Sequence, residues 1–111
     1  RVFYWNDIEN LKLCDLLIDV RREDEFEAGN IAGAINIHVD ELRNSLAEIP
    51  IAENIYIYCE AGLRGYIAQR ILRQNGFNKV ANLSGGYYLW KSCTNEQSKL
   101  ISQPQDFLVH Q

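Results

Sequence analysis

The feature that most restricts the fold of this chain is a set of four short, largely apolar runs. They are Leu16-Leu17-Ile18-Asp19-Val20, Ala34-Ile35-Asn36-Ile37-His38, Asn54-Ile55-Tyr56-Ile57-Tyr58 and Lys79-Val80-Ala81-Asn82-Leu83. They are rich in β-branched and aromatic residues and lack the strict polar alternation of a strand with one wet face, so they read as strands buried on both sides of a parallel sheet. The segments between them have helical spacing. Tyr66, Ile67, Ile71 and Leu72 are expected on one face of a helix from Arg64 to Asn75, closed by Asn75-Gly76. Glu23 to Ala28, followed by Gly29, reads as a brief helix. Asp40 is expected to cap a helix through Leu42 and Leu46 toward Pro50, and Asn6 one through Ile8 and Leu11. Strands alternating with helices at these distances predict an α/β fold with the sheet covered on both faces.

The pattern fades after Trp90. Residues 1–91 are expected to form one domain and 92–111 a polar tail or linker, a stretch open to disorder or to strand donation, with Phe107-Leu108-Val109 its apolar part. A length of 111 residues suits a single domain. The net charge of −4 and pI near 5.1 argue against general binding to nucleic acid or an acidic membrane surface. No apolar run approaches the roughly 20 residues that span a bilayer. Arg1-Val2-Phe3-Tyr4-Trp5 lacks a signal-peptide layout, so a cytoplasmic setting is expected. The sequence contains no methionine, which suggests a domain cut from a longer protein. Three widely spaced cysteines, Cys14, Cys59 and Cys93, fit neither a disulfide framework nor a zinc site. Two histidines without a spacing pattern, His38 and His110, likewise give no metal site.

In a parallel sheet, sites gather at the carboxyl ends of the strands. Here those ends are Asp19-Val20-Arg21, His38, Cys59 and Ser84-Gly85-Gly86. Cys59 directly follows a buried strand, and the loop Cys59-Glu60-Ala61-Gly62-Leu63-Arg64 leads directly into a helix. A short loop at a helix mouth turns backbone N–H groups inward as an anion nest, and the helix dipole adds positive potential there. Such surroundings favour the thiolate, the nucleophilic form of cysteine. Gly62 permits the tight turn, and Arg64 is expected either to bond the loop's carbonyls or to add charge to the pocket.

An ordered series of motifs surrounds this loop: Asp19-Val20-Arg21, Glu25-Phe26, Gly29-Asn30-Ile31-Ala32-Gly33-Ala34-Ile35-Asn36-Ile37, Cys59 to Arg64, Gly76-Phe77, and Leu83-Ser84-Gly85-Gly86-Tyr87-Tyr88-Leu89-Trp90. In order and spacing the series resembles the rhodanese family over residues 3 to 91. That resemblance implies a five-stranded parallel sheet with helices on both faces. It also implies that Cys59 accepts sulfane sulfur from thiosulfate, a polysulfide or a persulfide and passes it to a thiol or cyanide. Cys59 to Arg64 spells Cys-x4-Arg, the loop size of sulfurtransferases, one residue shorter than the Cys-x5-Arg loop of related phosphatases and arsenate reductases. Asn30, Ala32, His38 and Gly65 depart from the residues common in the family, and Gly65 is expected to loosen the helix start. The run Gly62-Leu63-Arg64-Gly65-Tyr66 further resembles rhodanese domains fused behind coenzyme A-disulfide reductases or NADH oxidases of the pyridine nucleotide-disulfide family. That likeness implies covalently linked flavoprotein domains as partners. FAD, NAD(P)H or coenzyme A would belong to the parent protein and no cofactor to this domain.

Among the remaining residues, Asp19 and Arg21 can support the pocket but read more simply as a structural ion pair. His38 can assist proton transfer but reads more simply as a surface histidine. Glu60 is expected to face solvent and tune access. Cys14 is expected beneath the sheet, Cys93 at the start of the tail, and Tyr87, Tyr88 and Trp90 in the core. A non-catalytic docking domain is a competing class, but the intact Cys59, Gly62 and Arg64 count against it, because a purely docking domain has no need for them.

Overall fold

The structure, a computed structural model, describes residues 1–102, with 96–102 given by backbone alone. Its centre is a five-stranded parallel sheet: β1 (Val2–Phe3), β2 (Asp15–Asp19), β3 (Ile35–Asn36), β4 (Asn54–Tyr58) and β5 (Val80–Leu83), in the order β1-β5-β4-β2-β3. The four sequence-read strands form within a residue or two of their expected limits. The first strand, Val2–Phe3, gives no readable pattern because two residues cannot show a period. Its place is set by pairing, Val2 with Asn82 and Phe3 with Leu83.

Side-chain alternation divides the core in two. Ile55, Ile57 and Cys59 join Ile18, Val20, Val80 and Leu72 on one face, whereas Phe3, Leu17, Tyr58, Ala81 and Leu83 pack on the other. Each fully buried aliphatic side chain contributes about 1.5–3 kcal/mol relative to exposure. Helix α1 (Glu23–Ala28) forms where expected. Helix α2 (Leu63–Gln74) covers the first face, and Phe77 follows its Asn75 cap into the same cluster. Helix α3 begins at Gly86 on the second face.

Several expectations are corrected. The buried stripe of α2 is Gly65, Ala68, Gln69, Ile71 and Leu72, while Tyr66 and Ile67 are exposed. Gln69 can occupy the stripe because its amide donates to the carbonyls of Arg1 and Val80, both at 2.9 Å. The segments Trp5–Asn10, Val39–Asn44 and Leu46–Glu48 are 3-10 turns rather than α-helices, too short to gain much from helical cooperativity. Neither expected cap serves: Tyr4 precedes the first turn, its N–H donating to Asp7, and His38 precedes the second. Helix α3 continues past Lys91 to Ser102, so residues 92–102 are helical. Residues 103–111, with Phe107-Leu108-Val109 and His110, lie outside the described residues. Cys14 is exposed, its thiol 3.2 Å from Glu53, and Tyr88 is exposed while Tyr87 and Trp90 pack against the core.

Candidate functional site

Strand β4 delivers Cys59 to the carboxyl edge of the sheet, and pleat parity turns its side chain to the α2 face. The residue is 1% exposed, deeper than a loop mouth suggests. Its sulfur still has a polar partner: the Gly62 N–H donates to Sγ at 2.9 Å. Gly62 caps α2 at φ 121°, a conformation that disfavours any side chain, so the expected role of glycine there is met.

The rest of the loop is fastened by its carbonyls. The Tyr87 N–H donates to the Cys59 carbonyl at 2.7 Å and the Tyr88 N–H to the Glu60 carbonyl at 3.0 Å. Because C=O and N–H point oppositely across a trans peptide, the N–H groups of Glu60 and Ala61 are turned away from α3. Gly86 permits this contact: at φ 64°, a Cβ there would lie 2.5 Å from the Cys59 carbonyl oxygen and 2.6 Å from that of Glu60. The Ser84-Gly85-Gly86 turn is thus a backbone seat for the loop.

Arg64 bonds no loop carbonyl. Its guanidinium makes a two-pronged pair with Glu25, at 2.7 and 3.0 Å, tying α2 to α1. The hydrogen bonds from Arg64 draw the Glu25 carboxyl down from its ordinary 4.5 to about 2, and the same contact raises Arg64. Sequence reasoning quoted Glu25 only within a motif and assigned it no role; an acidic residue in the first turn of a short helix gives no local sign of a partner 39 positions away.

Asp19 and Arg21 form the expected ion pair, at 2.7 Å and almost wholly buried. Arg21 also donates to the Gly29 carbonyl at 2.6 Å and to Glu60 at 3.2 Å, and lies 4.2 Å from the Tyr87 ring centroid. Burial works against its charge, but hydrogen bonds and attraction from Asp19 outweigh that and hold Arg21 above the ordinary guanidinium range. Glu60 is therefore half-exposed but anchored by Arg21 rather than free in solvent.

A cleft of about 360 Å³ opens beside α2, lined by His38, Val39, Asp40, Arg43, Arg64, Ile67 and Ile71. His38 is thus partly covered, 3.7 Å from Asp40, and shares a wall with Arg64 rather than standing alone on the surface. Across the loop a smaller hollow of about 270 Å³ is lined by Arg21, Glu25, Ala28, Gly29, Glu60, Tyr87 and Lys91. Cys59 is not among the lining residues of either. Ala61 and Leu63 are exposed loop positions, Leu63 strongly so. Asn82, which sequence reasoning passed over as part of a strand, lies beneath the loop: its Nδ2 donates to the Gly62 carbonyl at 3.0 Å. Among the described residues no cluster of three His, Cys, Asp or Glu is placed to hold a metal ion, and no helix is long and apolar enough to cross a membrane.

The geometry therefore sets the Cys59 sulfur against the Gly62 N–H at a helix mouth, with both nearby guanidinium groups paired to carboxylates, Arg21 to Asp19 and Glu60 and Arg64 to Glu25. The rhodanese-like domain family matches residues 4–93. The uncharacterized protein YqhL of Bacillus subtilis is 42% identical over 67% of this chain and 59% of its own length. A sulfurtransferase of Allochromatium vinosum is 36% identical over 68% of this chain and 70% of its own. The solved structure of reduced CoADR-RHD from Bacillus anthracis superposes with a TM-score of 0.76 at 41% identity, covering 86% of this chain and 17% of that one. The chain thus spans well under two thirds of some of these relatives. With the parallel sheet, the Cys59 loop and a family match over most of its length, this chain belongs to the rhodanese-like family.

Proposed function

We propose that this chain is a sulfurtransferase or persulfide carrier that moves sulfane sulfur through Cys59. The observation that carries this reading is the Gly62 N–H on Sγ at 2.9 Å, within a Cys-x4-Arg loop at the mouth of α2. The Cys59 thiolate attacks the outer sulfur of thiosulfate, a polysulfide or a persulfide. A new S–S bond forms, the donor's S–S bond breaks, and sulfite or the shortened chain leaves with the electron pair. The terminal sulfur of the Cys59 persulfide carries the negative charge, which helix-mouth amides stabilise. A thiol, as thiolate, or cyanide then takes that sulfur away as a persulfide or thiocyanate, and Cys59 recovers its electron pair.

Arg43 lends positive charge to the cleft beside α2, which can draw anionic donors and acceptors, although Asp40 lines the same wall and Arg64 there is paired with Glu25. Because Cys59 is nearly covered, its reaction requires the loop to open locally. This domain is read as needing no cofactor of its own and acting in the cytoplasm. The likeness to CoADR-RHD, of which the chain covers 17%, supports a place within a larger flavin-dependent reductase, where FAD, NAD(P)H or coenzyme A would be bound by other domains. Incubation with thiosulfate or polysulfide, followed by intact mass measurement, should add one sulfur to the wild type and none to Cys59→Ser. Equal addition to both proteins would refute the reading.

A further inference from the structure

Strand β5 reads Val80-Ala81-Asn82-Leu83, and all four residues are buried. An apolar residue would suit the third position, which faces α2 as Val80 and Cys59 do. The chain places an amide there that is only half satisfied. Nδ2 donates to the Gly62 carbonyl at 3.0 Å, while Oδ1 is, among the described residues, the one buried side-chain polar atom without a hydrogen bond. A polar group kept in a core with one lone partner calls for a physical explanation.

The space for that amide comes from α2. A Cβ on Gly65 would lie 2.1 Å from Oδ1 and 2.8 Å from Cγ of Asn82. Gly65 is in ordinary helical conformation, so its lack of a side chain is required by Asn82 and not by the backbone. The absent side chain of Gly65 makes room for a tie from the neighbouring strand.

We propose that Asn82 is a positioning residue for the Cys59 loop, interlocked with Gly65, which aims the first free amide of α2 at the sulfur-bearing end of the helix. The argument runs through one peptide plane. The Gly62 carbonyl accepts from Asn82 and from the Tyr66 N–H, at 3.0 Å each, and so points along α2 toward its body. The Leu63 N–H on the same plane must point the opposite way, out of the helix N-terminus, where the Gly62 N–H already meets Cys59 Sγ. Two carbonyls earlier in the loop, those of Cys59 and Glu60, are held by α3. Asn82 supplies the corresponding hold on the α2 side. Without it, ψ of Gly62, a residue with no Cβ to restrict it, is fixed by a single helical hydrogen bond.

This inference rests on Cys59 being the reactive thiol, and its test separates the two. Wild type, Asn82→Ala, Gly65→Ala, Gly65→Ser and the double variant Gly65→Ser/Asn82→Ala are compared. The readouts are the pH profile of Cys59 alkylation by iodoacetamide and of sulfur loading from polysulfide, both by intact mass, with thermal unfolding measured separately. Asn82→Ala should move both profiles toward alkaline pH and slow reaction at neutral pH by about tenfold. Gly65→Ser alone should do the same by displacing the amide. The double variant should recover most of the rate, because a serine hydroxyl in a helix can donate to the carbonyl three residues back, here that of Gly62. If Asn82→Ala does not fold, Gly65→Ala reads the same contact from α2. Unmoved profiles in folded Asn82→Ala or Gly65→Ala overturn the proposal, as does a double variant that adds the two defects. A wild type that takes up no sulfur would instead sink the function proposed for Cys59.

Discussion

Two helices direct their N-termini at the same loop, and they use their amides differently. At α3, Tyr87 and Tyr88 donate to the carbonyls of Cys59 and Glu60, so these amides are consumed in holding backbone. At α2, the Gly62 N–H meets the sulfur itself, and the N–H groups of the first turn have no helical partners. The α3 mouth is therefore a clamp and the α2 mouth a receptor for charge. The side-chain ties differ in burial as well. Arg21 fastens Glu60 from the α3 side through an almost wholly buried pair with Asp19, whereas Arg64, at the start of α2, reaches across to Glu25 of α1 in a partly exposed pair. The contrast teaches that damage to the clamp should appear mainly in stability, and damage to the receptor mainly in reactivity.

The largest effect expected of a single side chain tests the clamp at Arg21. Arg21→Ala leaves the Asp19 carboxylate buried and unpaired and frees the Gly29 carbonyl, Glu60 and the face of Tyr87. Breaking a buried pair in this way costs about 3–5 kcal/mol. Urea unfolding at neutral pH should show that loss; a change below about 1 kcal/mol would mean the pair is not the anchor described.

Gly86→Ala attacks the same clamp through the backbone. It sets a methyl against two carbonyl oxygens, at 2.5 and 2.6 Å, in a conformation that disfavours a side chain. Overpacking and strain together should cost about 2–4 kcal/mol. Gly62→Ala provides the contrast: φ is 121° there, but nothing lies within 4 Å of the added methyl. It should cost less, about 1–2 kcal/mol, from backbone strain alone. Equal losses at the two glycines would erase the distinction between clamp and receptor.

Much of this arrangement was legible in the sequence because it follows local rules. The buried strands announced themselves by composition, α1 and α2 by spacing and closure, and the Cys59 loop by standing between a strand and a helix. What escaped was set by long-range partners. Gly65 and Asn82 are each unremarkable in their own segment and acquire meaning only when β5 lies beneath α2. Glu25 sits in an acidic, exposed-looking turn, and only the fold brings it to Arg64. Tyr66 and Ile67 lie outside the buried stripe of α2 because apolar character alone does not fix burial: small residues such as Gly65 and Ala68 mark the face that packs closely on the sheet. Helix α3 runs past Lys91 because polar residues with good helical propensity look like a tail when only apolar period is read.

An effect no larger than that of Gly62→Ala is expected at the pair of Glu25 and Arg64. The folded-state value of Glu25 is depressed to about 2 from an ordinary 4.5, so its contribution is complete above about pH 4.5 and disappears as pH falls toward 2. The pair is only partly buried, so solvent screening reduces its worth to about 1–2 kcal/mol. Glu25→Gln should lower stability by that amount at neutral pH, and the gap from wild type should close on acidification through this window. A gap of constant size from pH 6 to pH 2.5 would show that the carboxylate charge is not what holds Arg64. The same substitution should leave the clamp intact, with the Arg21 contacts unchanged, while releasing Arg64 into the cleft it shares with Arg43 and His38. The charge facing an incoming anion then rises without any change at Cys59, so sulfur uptake from thiosulfate should depend more steeply on salt in Glu25→Gln than in wild type.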